Sequence, residues 1–355
     1  MKILHLIDSL DESGSARQLQ VLGPALARGA TSVEICCLGP ETPATALLRQ
    51  AGVIVHSLQW TRWIDLGVLW KLREIVHGSA ADVIHVWRLP ALRMLAAVAR
   101  GLLPRVVMSA PLPAQGGLAW CDRWLLQQVR CLAVAGVSDQ ERCLRHGITR
   151  PALRVVPPTI SEPERQRGFA EDGLAGARAR KIVCAGKLER EFGFRNAIWA
   201  FDILCQVYAD MRLNLVGTGS QQPALRALAA GLQNDTITFL GEQADRTTLL
   251  QDAEIVWIPS LANHGQHVAL EAMALGRAVI ASDVPCLRDV ILDGETGYLV
   301  PPGDVAQLAR RTYSLIQDRA LRERIGQAAR QSVLQRFPLA DAMVRWHDVY
   351  RSIAA

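Results

Sequence analysis

An α/β protein of two Rossmann-like domains, each with a parallel sheet, is predicted by three features of this 355-residue sequence. Its length suits two cores better than one. Each half opens with a buried-strand run that leads into a loop, KILHLID at 2–8 and KIVCAGK at 181–187. After each run, strand-like and helical patterns alternate. Such alternation gives parallel sheets covered on both faces, with ligands at the C-terminal ends of the strands.

In chain order, further strands are expected near 33–38, 53–58, 82–87 and 105–109, then near 212–216, 236–240, 254–258 and 278–282. Trp120, Trp124, Leu125 and Val129 fall at helical spacing, and such a stripe is most often core. The stretch 157–180, PPTISEPERQRGFAEDGLAGARAR, is rich in proline, glycine and charge and reads as a connection. The expected divisions are a first domain over 1–160, a linker over 161–180, a second domain over 181–335 and a terminal helix over 336–355.

Composition narrows the partners. Half the residues are hydrophobic and 21% are charged, an ordinary globular balance. A formal charge of +5 favours small anionic ligands or a weak attraction to a membrane surface; it is no nucleic-acid footprint. The eight cysteines (36, 37, 121, 131, 143, 184, 205, 286) show no Cys-x-x-Cys spacing, and several lie in apolar runs. Buried free thiols in a reducing cytosol are expected. The apolar run at the N-terminus is too short for a signal segment, and Arg100 and Pro104 break the most apolar stretch below spanning length. A cytoplasmic protein is expected, peripheral to the inner face of a membrane at most.

Residues 253–304 say most about chemistry. They read as a strand (Ile255 to Pro259), a loop, a helix from about His267 to Leu275, a glycine turn and another strand (Ala278 to Ser282). The helix begins where the loop ends. Its outward N–H groups and positive dipole end therefore face whatever lies over the strand tips, a ready anion site. Glu271, about one turn in, is within reach of ribose hydroxyls on a ligand whose phosphates sit at the helix start.

This block resembles the nucleotide-sugar donor site of glycosyltransferase family 4, among the two-domain GT-B enzymes. Pro259, Ser260, Glu271 to Ala274, Gly276, Thr296, Gly297, Pro301 and Asp304 fall on that family's Pro-Ser, Glu-Ala-Met-Ala-x-Gly, Thr-Gly and Pro-x-x-Asp. The resemblance implies two domains facing a cleft and a C-terminal helix that crosses back to the first. It also implies a nucleoside-diphosphate sugar as donor, a saccharide or glycoconjugate acceptor, retention of anomeric configuration, and no metal or other cofactor. Donor-side positions are then Gly14, Gly186, Lys187, Gly217, Gly219, Asn263, His264, Gly265, Gln266, His267, Val268 and Glu271.

Three departures fall on the chemistry. The family clamp Gly-Arg-x4-Lys-Gly is here Gly186-Lys187-Leu188-Glu189-Arg190-Glu191-Phe192-Gly193. Lysine at 187 keeps the charge but loses the fork, and Phe192 keeps neither. The first glutamate of the motif is Asn263. The acceptor-side histidine is missing from the strand that ends at Ser109. One strand earlier, Asp82-Val83-Ile84-His85-Val86-Trp87 resembles the family's Asp-x-x-His-x-His. His85 joins Lys187 and Glu271 as a catalytic candidate, although a lone histidine in an apolar strand is more often a satisfied core residue. His264 and His267 are candidate substitutes for the lost cation, against the plainer reading of surface polar residues.

Six of the nine tryptophans (60, 63, 70, 87, 120, 124) lie in the first half. Tryptophan stacks on sugar faces and sits at membrane interfaces. Trp60, Trp63 and Trp70 surround a predicted loop, 60–67, and Trp60, Trp63, Trp87 and Ser109 are the acceptor candidates. Arg88, Arg93, Arg100, Arg105, Arg123 and Arg130 give that region a positive cast, by default a solvated face. Two function classes follow, an atypical transferase and a catalytically degenerate relative that binds a sugar nucleotide or a partner.

Overall fold

Short aliphatic runs bounded by turns set the strands. The structure, a computed structural model, describes residues 1–11, 14–29, 31–60, 65–109, 118–160, 180–232, 235–243 and 246–354. It divides into two units, Met1–Thr159 with Leu339–Ala355, and Ile160–Pro338. The expected linker, 161–180, lies outside the described residues except for Arg180, which opens a strand.

The first unit holds a seven-stranded parallel sheet in the order β3-β2-β1-β4-β5-β6-β7. Its strands are β1 (Lys2–Ile7), β2 (Ser32–Cys37), β3 (Ile54–Ser57), β4 (Val83–Val86), β5 (Val106–Ser109), β6 (Cys131–Val134) and β7 (Ala152–Val155). Strand side chains alternate between faces. Ile3 and Ile7 pack under α1 (Gly14–Ala27), α2 (Pro43–Gln50) and the last helix, α14 (Leu339–Ala354). Leu4 and Leu6 join a core with α3 (Leu66–Gly78), α4 (Leu89–Ala99), α5 (Trp120–Leu126) and α6 (Val137–Arg145). The chain winds outward from β1 to β3 and returns to β4 beside β1, so a topological switch point lies between β1 and β4.

A polar and aromatic cluster lies beneath α14. His85 has one ring nitrogen 2.8 Å from the Tyr350 hydroxyl and the other 2.9 Å from the Ser109 hydroxyl. Trp87 stacks on His85 at 4.3 Å and its Nε1 donates to His5 Nδ1 at 3.1 Å. Trp346 closes over His85 with ring centroids 4.7 Å apart.

The second unit repeats the plan with six parallel strands in the order β10-β9-β8-β11-β12-β13. These are β8 (Arg180–Ala185), β9 (Met211–Val216), β10 (Ile237–Gly241), β11 (Ile255–Ile258), β12 (Ala278–Ser282) and β13 (Tyr298–Val300). Its helices are α7 (Phe194–Cys205), α8 (Gln222–Gly231), α9 (Thr247–Gln251), α10 (Gln266–Ala274), α11 (Pro285–Arg288), α12 (Val305–Gln317) and α13 (Arg319–Arg336). The switch point here lies between β8 and β11, which pair as Ile182 with Ile255 and Cys184 with Trp257.

Some expectations need correcting. β6, β7 and β13 were not anticipated. The helical stripe from Trp120 is core only in part. Leu125 and Val129 are buried, whereas Trp120 is 82% exposed. The expected loop 60–67 ends earlier, because Asp65 caps α3 by accepting from Gly67 and Val68 N–H. All eight cysteines are free, six of them buried.

Candidate functional site: the strand-end loops of the second unit

The loops that follow β8, β9 and β11 are built on one another. After β8, Lys187 is half-buried and Leu188 N–H donates to Thr218 O at 2.9 Å, while Gln221 N–H donates back to Leu188 O at 2.9 Å. Gly217 and Gly219 lie in that second loop, and a Cβ on Gly219 would stand 2.5 Å from Leu188 O, so only glycine permits the approach. Glu189 accepts from the Ser220 backbone N–H at 2.8 Å and from its hydroxyl. Those two bonds, helped by the Lys187 charge, hold the Glu189 carboxyl below its ordinary value. On the other side Leu261 N–H donates to Glu191 O at 2.8 Å. Gly186 stands against the Phe192 ring.

From the third loop rises α10, with Gly265 as N-cap at φ 96°. The first turn, Gln266, His267 and Val268, leaves N–H groups that point out of the helix end, as every helix start does. The side chains of Gln266 and Val268 are buried, and His267 is half-buried. Glu271 is also largely buried, its side chain 9% exposed. Arg246, at the start of α9 and 1% exposed, grips both carboxylate oxygens, Nε to Oε2 at 2.6 Å and Nη2 to Oε1 at 3.0 Å. Sequence reasoning missed Arg246, which belongs to no motif and meets its partner 25 residues away in the chain.

Both altered positions have found packing partners. The Phe192 ring stacks nearly parallel on His264, centroids 4.7 Å apart at 10°. The aromatic residue that stands for a clamp cation thus carries an imidazole on its face. Asn263 turns its Oδ1 to the backbone N–H of Cys286 at 2.6 Å, which ties the β11 loop to the start of α11. Among the described residues no group of three or more His, Cys, Asp or Glu is arranged to hold a metal ion.

In the first unit Gly14 opens α1, beyond β1. His85 is withdrawn as a catalytic candidate. It is 0% exposed, both ring nitrogens are bonded, and burial with His5 nearby lowers its pKa well below the ordinary range. Trp87 is likewise withdrawn from acceptor contact, being 2% exposed inside the same cluster. Ser109 is half-buried and bonded to His85. Trp60 packs half-buried against the α3–α4 core, and Trp63 lies outside the described residues. Two of the arginines behind the positive cast already face carboxylates. Arg88 meets Asp8 at 3.1 Å and Asp11 at 3.4 Å, and Arg93 forks onto Asp122.

Residues 170–332 match the family model described as "Glycosyl transferases group 1", and residues 13–159 match that of the "Glycosyl transferase 4-like domain". The chain is 34% identical over 152 residues to a phosphatidyl-myo-inositol mannosyltransferase of Mycobacterium leprae, covering 42% of this chain and 40% of that protein. It is 28% identical over 244 residues to a putative glycosyltransferase, EpsD, of Bacillus subtilis, covering 64% of this chain and 62% of that one. The chain thus spans less than two thirds of either relative. Among solved structures, HepE of Anabaena in complex with UDP-glucose superposes with TM-score 0.82 at 19% identity, covering 99% of this chain and 100% of that one. Sucrose-phosphate synthase of Thermosynechococcus elongatus gives 0.81 at 19% identity, covering 99% of both chains. At that identity the likeness shows the fold.

Proposed function

The chain belongs to the family-4-type glycosyltransferases of GT-B fold, and on that premise we propose that it transfers a sugar from a nucleoside-diphosphate sugar to a saccharide or glycoconjugate acceptor. Retention of anomeric configuration and independence of metal are part of the proposal. One observation carries it: the loops after β8 and β11 are bonded to each other, and the β11 loop leads into α10, whose Glu271 is held fixed by Arg246. The names of the compared proteins, a mannosyltransferase and a protein bound to UDP-glucose, support the donor class.

In this reading the α10 N-terminus and Lys187 take the diphosphate, whose growing negative charge must be met for the sugar to leave. A preorganised donor of that kind contributes roughly 2.7–4 kcal/mol of transition-state stabilisation. Glu271 accepts from the ribose hydroxyls. Gly14, at the start of α1, is kept as a donor-side candidate of the first unit, and Trp60 with Ser109 belongs to the acceptor side. Cytoplasmic action extends the proposal, together with peripheral membrane contact through Trp70 and Trp120, whose exposed rings support that contact.

A second reading has its own observation. Phe192 and Asn263, where the family carries charge, are drawn into packing contacts, which suits a non-catalytic binder. The deciding measurement is release of nucleoside diphosphate by the purified protein across UDP-, GDP- and ADP-sugars with saccharide and lipid-linked acceptors. Turnover that falls with Lys187→Ala supports the transferase. Nucleotide binding without turnover under any pairing supports the binder.

A further inference from the structure

Resting on the donor reading above, we propose that Arg246 is a positioning residue: it fixes the Glu271 carboxylate so that a nucleotide ribose is recognised without reordering the site. Nearly the whole of α10 is buried, from Val268 to Ala274, and that side chain is the sole carboxylate on the helix. A glutamate in such surroundings is costly to keep charged unless a partner is built in. Arg246 supplies that partner from the start of α9, and the two helices share the same core. Its planar fork matches a carboxylate in two directions at once, at 2.6 and 3.0 Å.

The fork has two consequences for a ligand. It restrains the glutamate's rotation before any ligand arrives, so ordering that side chain costs binding little. It also takes one acceptor direction from each oxygen, and a carboxylate has about four such directions. A pair of vicinal hydroxyls is a ligand that offers two donors to a carboxylate fixed in this way. Lysine could supply the charge at 246 but not the fork. A purely structural pair would tie α9 to α10 and have no effect on which sugar a nucleotide carries.

The test compares UDP, GDP and ADP with their 2′,3′-dideoxy counterparts by calorimetry on the full chain, for wild type, Glu271→Gln, Arg246→Lys and Arg246→Met. The quantity read is the affinity ratio of each ribonucleotide to its dideoxy form, which a general loss of stability leaves unchanged. The wild type is expected to favour the ribonucleotide by about 10- to 100-fold, the worth of hydrogen bonds to a charged acceptor. Glu271→Gln and Arg246→Met should bring the ratio close to one while dideoxy binding persists, and Arg246→Lys should restore part of it. If Arg246→Met does not fold, Arg246→Lys alone decides, since a single prong must still lower the ratio. A wild-type ratio retained in the folded Arg246 variants overturns the inference and leaves the donor reading standing. No binding of any of the three nucleotides by wild type overturns both.

Discussion

Mild acid should loosen the first unit well before it affects the second, because His5 is buried neutral. The ring is 0% exposed, and burial lowers its pKa from 6.5 to about 3. Its Nδ1 accepts from Trp87 Nε1, so the proton of the neutral ring sits on Nε2, which has no hydrogen-bond partner among the described residues. Protonating the folded ring would place an N–H against the Trp87 N–H and a charge among apolar side chains. The proton therefore goes to the unfolded chain. Because the folded pKa is depressed, the unfolded state binds more protons between about pH 6.5 and pH 3, and stability falls as pH falls through that window. At about 1.4 kcal/mol per pH unit, His5 alone removes about 2 kcal/mol between pH 7.5 and 5.0. His85, shifted in the same direction, adds to the loss.

Urea unfolding followed by tryptophan fluorescence at pH 7.5, 6.0 and 5.0 measures this effect. Limited proteolysis at the same pH values then shows whether α14, which carries Tyr350 and Trp346 over the cluster, is released. His5→Asn keeps an acceptor for Trp87 and removes the titrating ring, so the pH dependence of the first unit should shrink by about one proton. The second unit is the internal control. Its lowered carboxyls, Asp283 with Arg288 and Glu189 with Ser220, start from ordinary values of 3.8 and 4.5 and lose their contribution only as pH falls below those values. Equal pH dependence in wild type and His5→Asn would refute the assignment.

Two further outcomes follow from the site loops. Asn263→Ala leaves the buried-side Cys286 N–H without its side-chain acceptor and should cost about 1–3 kcal/mol in the second unit's transition, whereas Asn263→Asp should cost little; a thermal shift series distinguishes them. Gly193→Ala places a Cβ 1.9 Å from Pro259 O at φ 72°, so it should displace the β8 loop and abolish nucleotide binding while circular dichroism still reports folded helices.

Much of this architecture was readable because parallel strands buried on both faces announce themselves as aliphatic runs. KILHLI and KIVCA open the two sheets as expected, and the strand-loop-helix-strand of 255–282 lies within a residue or so of its predicted limits. The failures have a common cause. Trp87 and His85 looked like functional residues at a strand end, and only the return of α14, more than 250 residues later, covers them. His5 gave no signal at all, since a histidine inside an aliphatic run reveals its role only when Trp87 is in place. Arg246 sits in a polar stretch that reads as surface, yet it is among the most deeply buried large side chains. Local pattern specifies elements; tertiary pairing decides which polar residues they enclose.

That distinction bears on the two altered positions. A phosphate clamp that has lost one cation must find charge elsewhere or relinquish the chemistry. Asn263 is committed to Cys286, so it holds the β11 loop in place, and an amide there carries no negative charge. Phe192 gives His264 an aromatic face to lie on, and an imidazolium gains from such a face as other cations do. The pair stands beside the start of α10, whose dipole favours an anion yet opposes a proton on the same ring. On the donor reading proposed above, a diphosphate at that helix end would bring its negative charge beside the ring. On that reading, transfer would proceed in a site whose fixed charge is lower than the family pattern implies.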